Sequence, residues 1–345
     1  MKKLMKNIGH FFAFFGITVL GVFITLVLTI FLICHGPSES AKELFAVTIL
    51  ETGQLKFLAN IFLSNSEIEA IVAKNSLSEM DSEVDTELII TNVDETKELI
   101  EIHKVSGNGF EGTMMVINDP SKISLATTYP WGEYGKTLDK IVTEAGAIAG
   151  INGGLYQSDA NKGGRPLGIT VSNGEILDNN PYMVGLYLIG FDEDNILRIL
   201  SLEGMNATSV ANLVKTEKIR DAVAFQEEAS DKNNHFVKLI INGEKRELNG
   251  MGSGANPRTA IGQRSDGSVL FLVTDGRGKN GHLGATAADL IEVMADYGAV
   301  NAANIDGGSS STMYYNGAYL MDSVTFYYSN SSWRLPTAFV VKEDK

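Results

Sequence analysis

The chain has 345 residues, 44% of them hydrophobic, which supports a sizeable core and excludes global disorder. Its formal net charge is −14; Met1–Gly36 holds Lys2, Lys3 and Lys6 and no carboxylate, so removing those three positive charges leaves −17 on the rest. So acidic a body lacks the basic face that nucleic acid or an anionic membrane surface needs, which argues against a nucleic-acid partner.

The first element is a run from Phe11 to Cys34 without a charged residue, dense in Phe, Ile, Leu and Val and closed by Gly36 and Pro37. At about 1.5 Å per residue, such a helix exceeds the roughly 30 Å of a bilayer's hydrocarbon. The three lysines lie before it, so the positive-inside rule puts residues 1–10 in the cytoplasm as a tail, residues 11–34 in the membrane, and everything later outside. A cleaved signal peptide would have an apolar core of about 7–15 residues. This run is longer and no clear small-x-small site follows, so the expectation is an uncleaved anchor. Ile33, bulky where a lipoprotein signal needs a small residue, argues against lipidation of Cys34. As the chain's single cysteine, Cys34 also permits no intramolecular disulfide and no cysteine-based zinc site.

Residues 35–85 read as a helical stalk and linker. Ala41–Ala73 carries Leu44, Ile49, Leu55, Leu58, Ile61, Ile68 and Ile71 at mixed helical spacing, which predicts one or two amphipathic helices. The acidic, serine-rich Ser76–Glu87 reads as linker, with the main domain, residues 86–345, beginning near Thr86.

From there short apolar runs alternate with Gly, Asn and Asp. The pairs Asn173-Gly174, Asn242-Gly243 and Asn316-Gly317 each predict a tight hairpin, because a type I′ turn needs positive φ at both central residues. Val269–Thr274 is continuously apolar, as a strand buried on both faces would be. A helix follows from Thr286, capped with Asp289, striped by Leu290, Ile291 and Met294 and stopped at Gly298; a second strand, Val300–Ile305, comes next. Strand, helix, strand implies a right-handed parallel crossover. The expected fold class is therefore α/β (α+β): a mixed sheet with hairpins and a βαβ crossover, preceded by the transmembrane helix and stalk. The crossover would set Asp275 and Asp306 on neighbouring loops at one sheet edge, where open α/β sheets place ligand sites.

Those carboxylates have company. Arg258 and Arg277 offer guanidinium forks for an anion, Gly307 and Gly308 permit close backbone approach, and Ser309, Ser310, Ser311 and Thr312 add hydroxyls. His282 lies in a glycine-rich loop near Asp275. Glycosidic cleavage at a phosphodiester needs such parts: a carboxylate at the anomeric centre, an acid or base, and fixed donors for phosphate. Each part also has a plainer reading. Asp before Gly at a strand end is ordinarily a turn residue, Arg258 suits a surface ion pair, and a loop histidine is ordinarily just exposed. The serine run lacks a Gly-x-Ser-x-Gly elbow, and Gly107-Asn-Gly-Phe-Glu-Gly lacks the flanking strand and helix of a dinucleotide fingerprint.

Read as strings, these residues say more. Ile151-Asn-Gly-Gly-Leu-Tyr, Arg165-Pro-Leu-Gly, Asn256-Pro-Arg-Thr-Ala-Ile-Gly, Thr274-Asp-Gly-Arg and Asn304-Ile-Asp-Gly-Gly-Ser-Ser-Ser-Thr-Met resemble, in order, the motifs of the phosphodiester glycosidase family. The likeness runs from about Glu98 to Val341, with Asp119-Pro-Ser early and Arg334-Leu-Pro-Thr-Ala at the end. It implies an α/β domain that hydrolyses an α-linked sugar-1-phosphodiester in a cleft lined by Asn152, Gly153, Gly154, Arg258, Asp275, Arg277 and the Asp306-Gly-Gly loop. Arg165, Ser309 and Ser310 join the substrate-binding set. Two departures stand out: Ser309 occupies the place of the family's usual third glycine, and Leu155 and Tyr156 replace its common Phe-Phe pair.

The resulting expectation is a membrane-anchored extracytoplasmic hydrolase of a sugar-phosphodiester or anionic glycopolymer, on cell-surface polysaccharide or wall polymer. Asp306 would act at the anomeric centre, Asp275 or His282 as acid/base, and Arg258 with Arg277 on phosphate. No cofactor is required, although a divalent cation on Asp275 or Asp306 is compatible. The rivals are a non-catalytic module binding an anionic glycopolymer and a transferase of polymer assembly.

Overall fold

The computed structural model describes residues 2–52, 55–91, 94, 96–227, 235–325 and 330–343. The chain divides into two compact units, Met1–Lys74 and Asn75–Lys345.

In the first unit one helix, Lys2–His35, contains a stretch, Ile8–His35, long and apolar enough to cross a membrane. It ends where the Gly36 amide donates to the Leu32 carbonyl (2.8 Å) and Pro37 follows. Three short helices come next, Glu39–Leu50, Phe57–Phe62 and Asn65–Lys74, rather than one or two. Two breaks explain the count. Thr52 turns its hydroxyl back onto the Ile49 carbonyl (2.7 Å), and Leu63 is extended at φ −126, ψ 143. Ala46, Val47, Leu50, Ile68 and Ile71 are buried, and Lys42–Glu67 and Lys74–Glu43 pair at 2.9 Å across the helices.

The second unit begins earlier than Thr86, because the segment expected as a linker is sewn down. Leu77 bridges Leu248, Arg246 Nε donates to the Ser78 carbonyl (2.7 Å), and Lys238 Nζ donates to the carbonyls of Met80 (2.7 Å) and Ser82 (2.9 Å). Composition reads as a linker there because few apolar side chains, Leu77, Met80 and Val84, pack on the core, while backbone carbonyls make the polar attachments.

Among the described residues the unit holds three sheets. The largest runs, in spatial order, Ile100–Ser106, Glu111–Ile117, Val269–Thr274, Thr259–Arg264, Ala299–Ile305, Lys238–Ile241, Glu244–Lys245. A second runs Ala318–Met321, Met313–Tyr315, Ala149–Asn152, Thr337–Val341, Ile123–Thr127; a third runs Glu175–Asn179, Ile169–Ser172, Ile219–Gln226, Leu186–Asp192, Leu197–Ser201. Each of the three Asn-Gly pairs closes a hairpin with positive φ at both residues.

Val269–Thr274 is buried along its whole length. Phe271 and Val273 enter a core shared with the other two sheets, where Phe271 and Phe191 both meet Phe339. Leu270 and Leu272 face the opposite way, onto helix Ala287–Asp296 through Leu290, Ile291 and Met294. That helix starts with a complete capping box between Thr286 and Asp289.

The crossover differs from expectation in one respect. Val269–Thr274 and Ala299–Ile305 point the same way but are not neighbours: Thr259–Arg264 lies between them, antiparallel to both. Every ladder in the three sheets is antiparallel.

Candidate active site

Thr259 pairs with Val273 on one side and Ile305 on the other. The amino end of the middle strand therefore coincides with the carboxyl ends of its neighbours. Asp275, Arg258 and Asp306 leave the sheet side by side, with Arg258 in the centre.

Arg258 is anchored by its surroundings. One terminal nitrogen donates to the Gly254 carbonyl (2.7 Å) and Ser253 Oγ (3.1 Å), Nε donates to the Ala285 carbonyl (3.3 Å), and the guanidinium lies 5.0 Å over the Phe236 ring. Asn304 in turn fixes Phe236, donating from Nδ2 to its carbonyl (2.9 Å). Arg258 is thus a fixed positive charge rather than a mobile side chain.

Asp275 is enclosed, with both oxygens engaged: Oδ1 accepts the Glu111 amide (2.8 Å) and Oδ2 meets His282 Nδ1 (2.7 Å). The hydrogen bond to Asp275, reinforced by its charge, raises the His282 pKa above the ordinary imidazole value. Only 3% of the Asp275 side chain is exposed against 25% of His282, so the histidine is the more accessible member of the pair. A bridge between Gly276 and Gly284 closes their loop; a Cβ on Gly276 would lie 2.7 Å from Gly284 Cα.

Within that loop Arg277 is exposed and adopts φ +53. Its Nη1 donates to Ser309 Oγ (2.8 Å) and its Nε to Asn256 Oδ1 (3.4 Å). Ser309, the residue in the third glycine's place, therefore supplies an anchor for Arg277. Gly308 has φ +63, and a Cβ there would stand 2.7 Å from Arg277 Nη2. Gly307 lies against the Pro257 carbonyl, which accepts the Gly308 amide (2.8 Å).

Asp306 completes the row. Burial pushes its carboxyl up to about 7, outweighing the hydrogen bonds from Ser310 and the Gly307 amide (3.0 Å) and the attraction of Arg277. Ser310 Oγ lies 2.9 Å from Tyr156 Oη. Burial also raises the Tyr156 phenol, so it stays neutral and donates to Ser310, which donates to Asp306. The bulk of Tyr156 was legible as a departure from the usual Phe; its hydroxyl is what matters here.

Other expected residues stand elsewhere. Asn152 is 1% exposed and wholly engaged: Nδ2 donates to the Asp306 carbonyl (2.6 Å), and Oδ1 accepts Thr259 Oγ1 (2.8 Å) and the Thr312 amide (3.2 Å). It braces the site from behind. Gly153 and Gly154 are buried, and a Cβ would fall 2.3 Å from Thr337 Oγ1 or 2.4 Å from the Ala224 carbonyl, so packing accounts for both. Arg165 lines a different cavity, with Trp131 and Lys162.

Ligand-capable atoms of Glu111, Asp275 and His282 lie within 4.8 Å of one another. Among the described residues that trio could hold a cation, and Glu111 had no sequence signal.

Comparison with known proteins bears on the fold and the family. A short match, 42% identical over 65 residues, is to the SPbeta prophage-derived uncharacterized protein YomE of Bacillus subtilis (strain 168), covering 19% of this chain and 10% of that protein. The chain thus spans about a tenth of the length of the curated relative it matches. The catalytic domain of zebrafish N-acetylglucosamine-1-phosphodiester alpha-N-acetylglucosaminidase, auto-inhibited by its pro-peptide, superposes with TM-score 0.56 at 16% identity, over 73% of this chain and 86% of that one. That likeness shows the fold. A hypothetical protein from Synechocystis aligns at TM-score 0.44 and 18% identity, over 70% and 61%. Residues 145–342 match the family described as phosphodiester glycosidase, and the chain belongs to that family.

Proposed function

We propose that the chain is a membrane-anchored hydrolase that cleaves the bond between a sugar's anomeric carbon and a phosphodiester, with its catalytic unit outside the cell. The observation that carries this reading is the row Asp306, Arg258, Asp275–His282 on one sheet edge, with Arg277 lying over the Gly307-Gly308-Ser309 turn. A phosphodiester is a good leaving group, so the enzyme's task is to hold its charge and deliver water.

Arg277, exposed and pre-set by Ser309 and Asn256, meets the phosphate, while Arg258 supplies a fixed field behind it. Asp306, with a pKa of about 7, is poised to take a proton from water and to face the developing oxocarbenium charge. His282, whose protonated form Asp275 favours, donates to the departing oxygen. Asp275 acts through His282 and is a positioning residue. The apolar helix supports the anchor, and Lys2, Lys3 and Lys6 on its amino side support the outward orientation.

The test is incubation of the full-length protein in detergent with the methyl phosphodiester of α-N-acetylglucosamine 1-phosphate. Free sugar is released by the native protein, and Asp306→Asn abolishes release while still binding the diester. Binding without release by the native protein would leave a glycopolymer-binding module. Product that forms only with an added acceptor would indicate a transferase.

A further inference from the structure

Outside this row lies a cavity of about 530 Å³, lined in part by Trp131, Glu133, Gln157, Asp159, Lys162 and Arg165. Its size falls in the roughly 300–1,000 Å³ range of small-molecule sites. Backbone contacts build it. A Cβ on Gly164 would lie 2.3 Å from the Gly132 carbonyl, and the Gly135 amide donates to the Lys162 carbonyl (2.7 Å), so the two walls meet at van der Waals distance. The indole of Trp131 is partly buried, held by its N–H to the Leu177 carbonyl (3.3 Å) and by the edge of Tyr129, 5.3 Å away. Lys162 and Glu133 neutralise each other at 2.9 Å. Arg165 is exposed and, among the described residues, its side chain makes no hydrogen bond or close ion pair; the Asp178 carboxylate feels its charge.

This cavity shares a loop with the active site. Tyr156, whose hydroxyl holds Ser310 beneath Asp306, is followed directly by Gln157 in the cavity wall. The Gln157 amide donates to the Arg165 carbonyl (2.9 Å), and Tyr156 bridges Pro166.

We propose that the cavity is a second glycan subsite, taking a pyranose ring that bears an acidic group. The flat indole suits the C–H face of a sugar, Gln157 and Asp159 suit its hydroxyls, and the exposed guanidinium of Arg165, with no hydrogen bond of its own, suits a phosphate or carboxylate. Resting on the hydrolase reading above, this makes the substrate an anionic glycan chain rather than an isolated sugar diester.

The experiment titrates full-length protein in detergent with three probes: a phosphomannan, whose pyranose rings carry phosphate, polygalacturonate and neutral dextran. Arg165→Gln, at an exposed position that folds without cost, weakens binding of an acidic polymer by about tenfold, the loss expected for one charge-assisted contact. Trp131→Ala does the same, Trp131→Phe restores most of the affinity, and Trp131→Ala leaves turnover of the methyl phosphodiester unchanged. A preference for phosphomannan identifies the acidic group as phosphate, and one for polygalacturonate as carboxylate. Native affinity in Arg165→Gln, or equal binding of dextran, overturns the proposal. Because binding is read separately, a protein without turnover would sink the hydrolase reading and still decide this one.

Discussion

Asp306→Asn is expected to make the protein more stable while removing its activity. The carboxyl's ordinary pKa is 3.8 and burial carries it to about 7, a gap worth ~4 kcal/mol. Because the folded value is the higher one, the native state binds more proton than the unfolded chain between those limits. The cost of ionising Asp306 is therefore absent below about pH 4, grows as pH rises, and is complete above about pH 7. Solvent at the partly open rim halves it to ~2 kcal/mol. Asparagine avoids that cost at every pH. In thermal melts at pH 8 the variant should exceed the native protein by roughly 4–8 °C, and at pH 4.5 by much less. A difference independent of pH, or a variant less stable at pH 8, would refute the assignment of a strained carboxylate. Stability gained with activity lost is the expected signature of a group held in a costly state for function.

Three other perturbations test neighbouring parts. Asp275→Asn should lower the His282 pKa toward its ordinary value, since the bond to Asp275 is what raises it. The alkaline limb of the rate profile then moves down in pH, and an unmoved limb would dissociate His282 from the chemistry. The stability this pair contributes is present at low pH and lost as pH rises through the raised value, so the variant's deficit in urea should shrink at alkaline pH. Ser309→Gly releases Arg277 at a cost of about 1 kcal/mol, seen as a roughly fivefold rise in KM for the methyl diester with kcat held; a fall in kcat alone would contradict the phosphate-binding role. Asn152→Ala strands the Asp306 carbonyl, the Thr259 hydroxyl and the Thr312 amide, and should lower stability by about 3 kcal/mol in urea; an unchanged midpoint would show that Asn152 is no brace.

Much of the site was legible because its signals are local. The Asn-Gly turns, the Thr286 cap with its Asp289 partner and the buried run Val269–Thr274 each announce themselves within a few residues. The two aspartates and two arginines likewise fall on one edge once strand directions are known. What stayed hidden depends on partners far along the chain. The insertion of Thr259–Arg264 between its parallel neighbours is a choice of ladder partner that no single strand encodes. Tyr156 meets Ser310 across 154 positions, so the support beneath Asp306 has no local pattern. Asn152 misled for a related reason: an Asn-Gly-Gly string reads as a ligand loop, whereas here it caps a buried strand whose glycines admit neighbouring backbone and side chains.

The middle strand has one more consequence. With Arg258 seated between them, Asp275 and Asp306 are separated by two interstrand spacings, roughly 9–10 Å from backbone to backbone. That width is written into hydrogen-bond ladders on both flanks, so no change of rotamer alters it. A slip of the central strand would have to break both ladders at once. The spacing of the two aspartate loops is a mortise whose size belongs to the sheet, leaving only the loops above it free to vary.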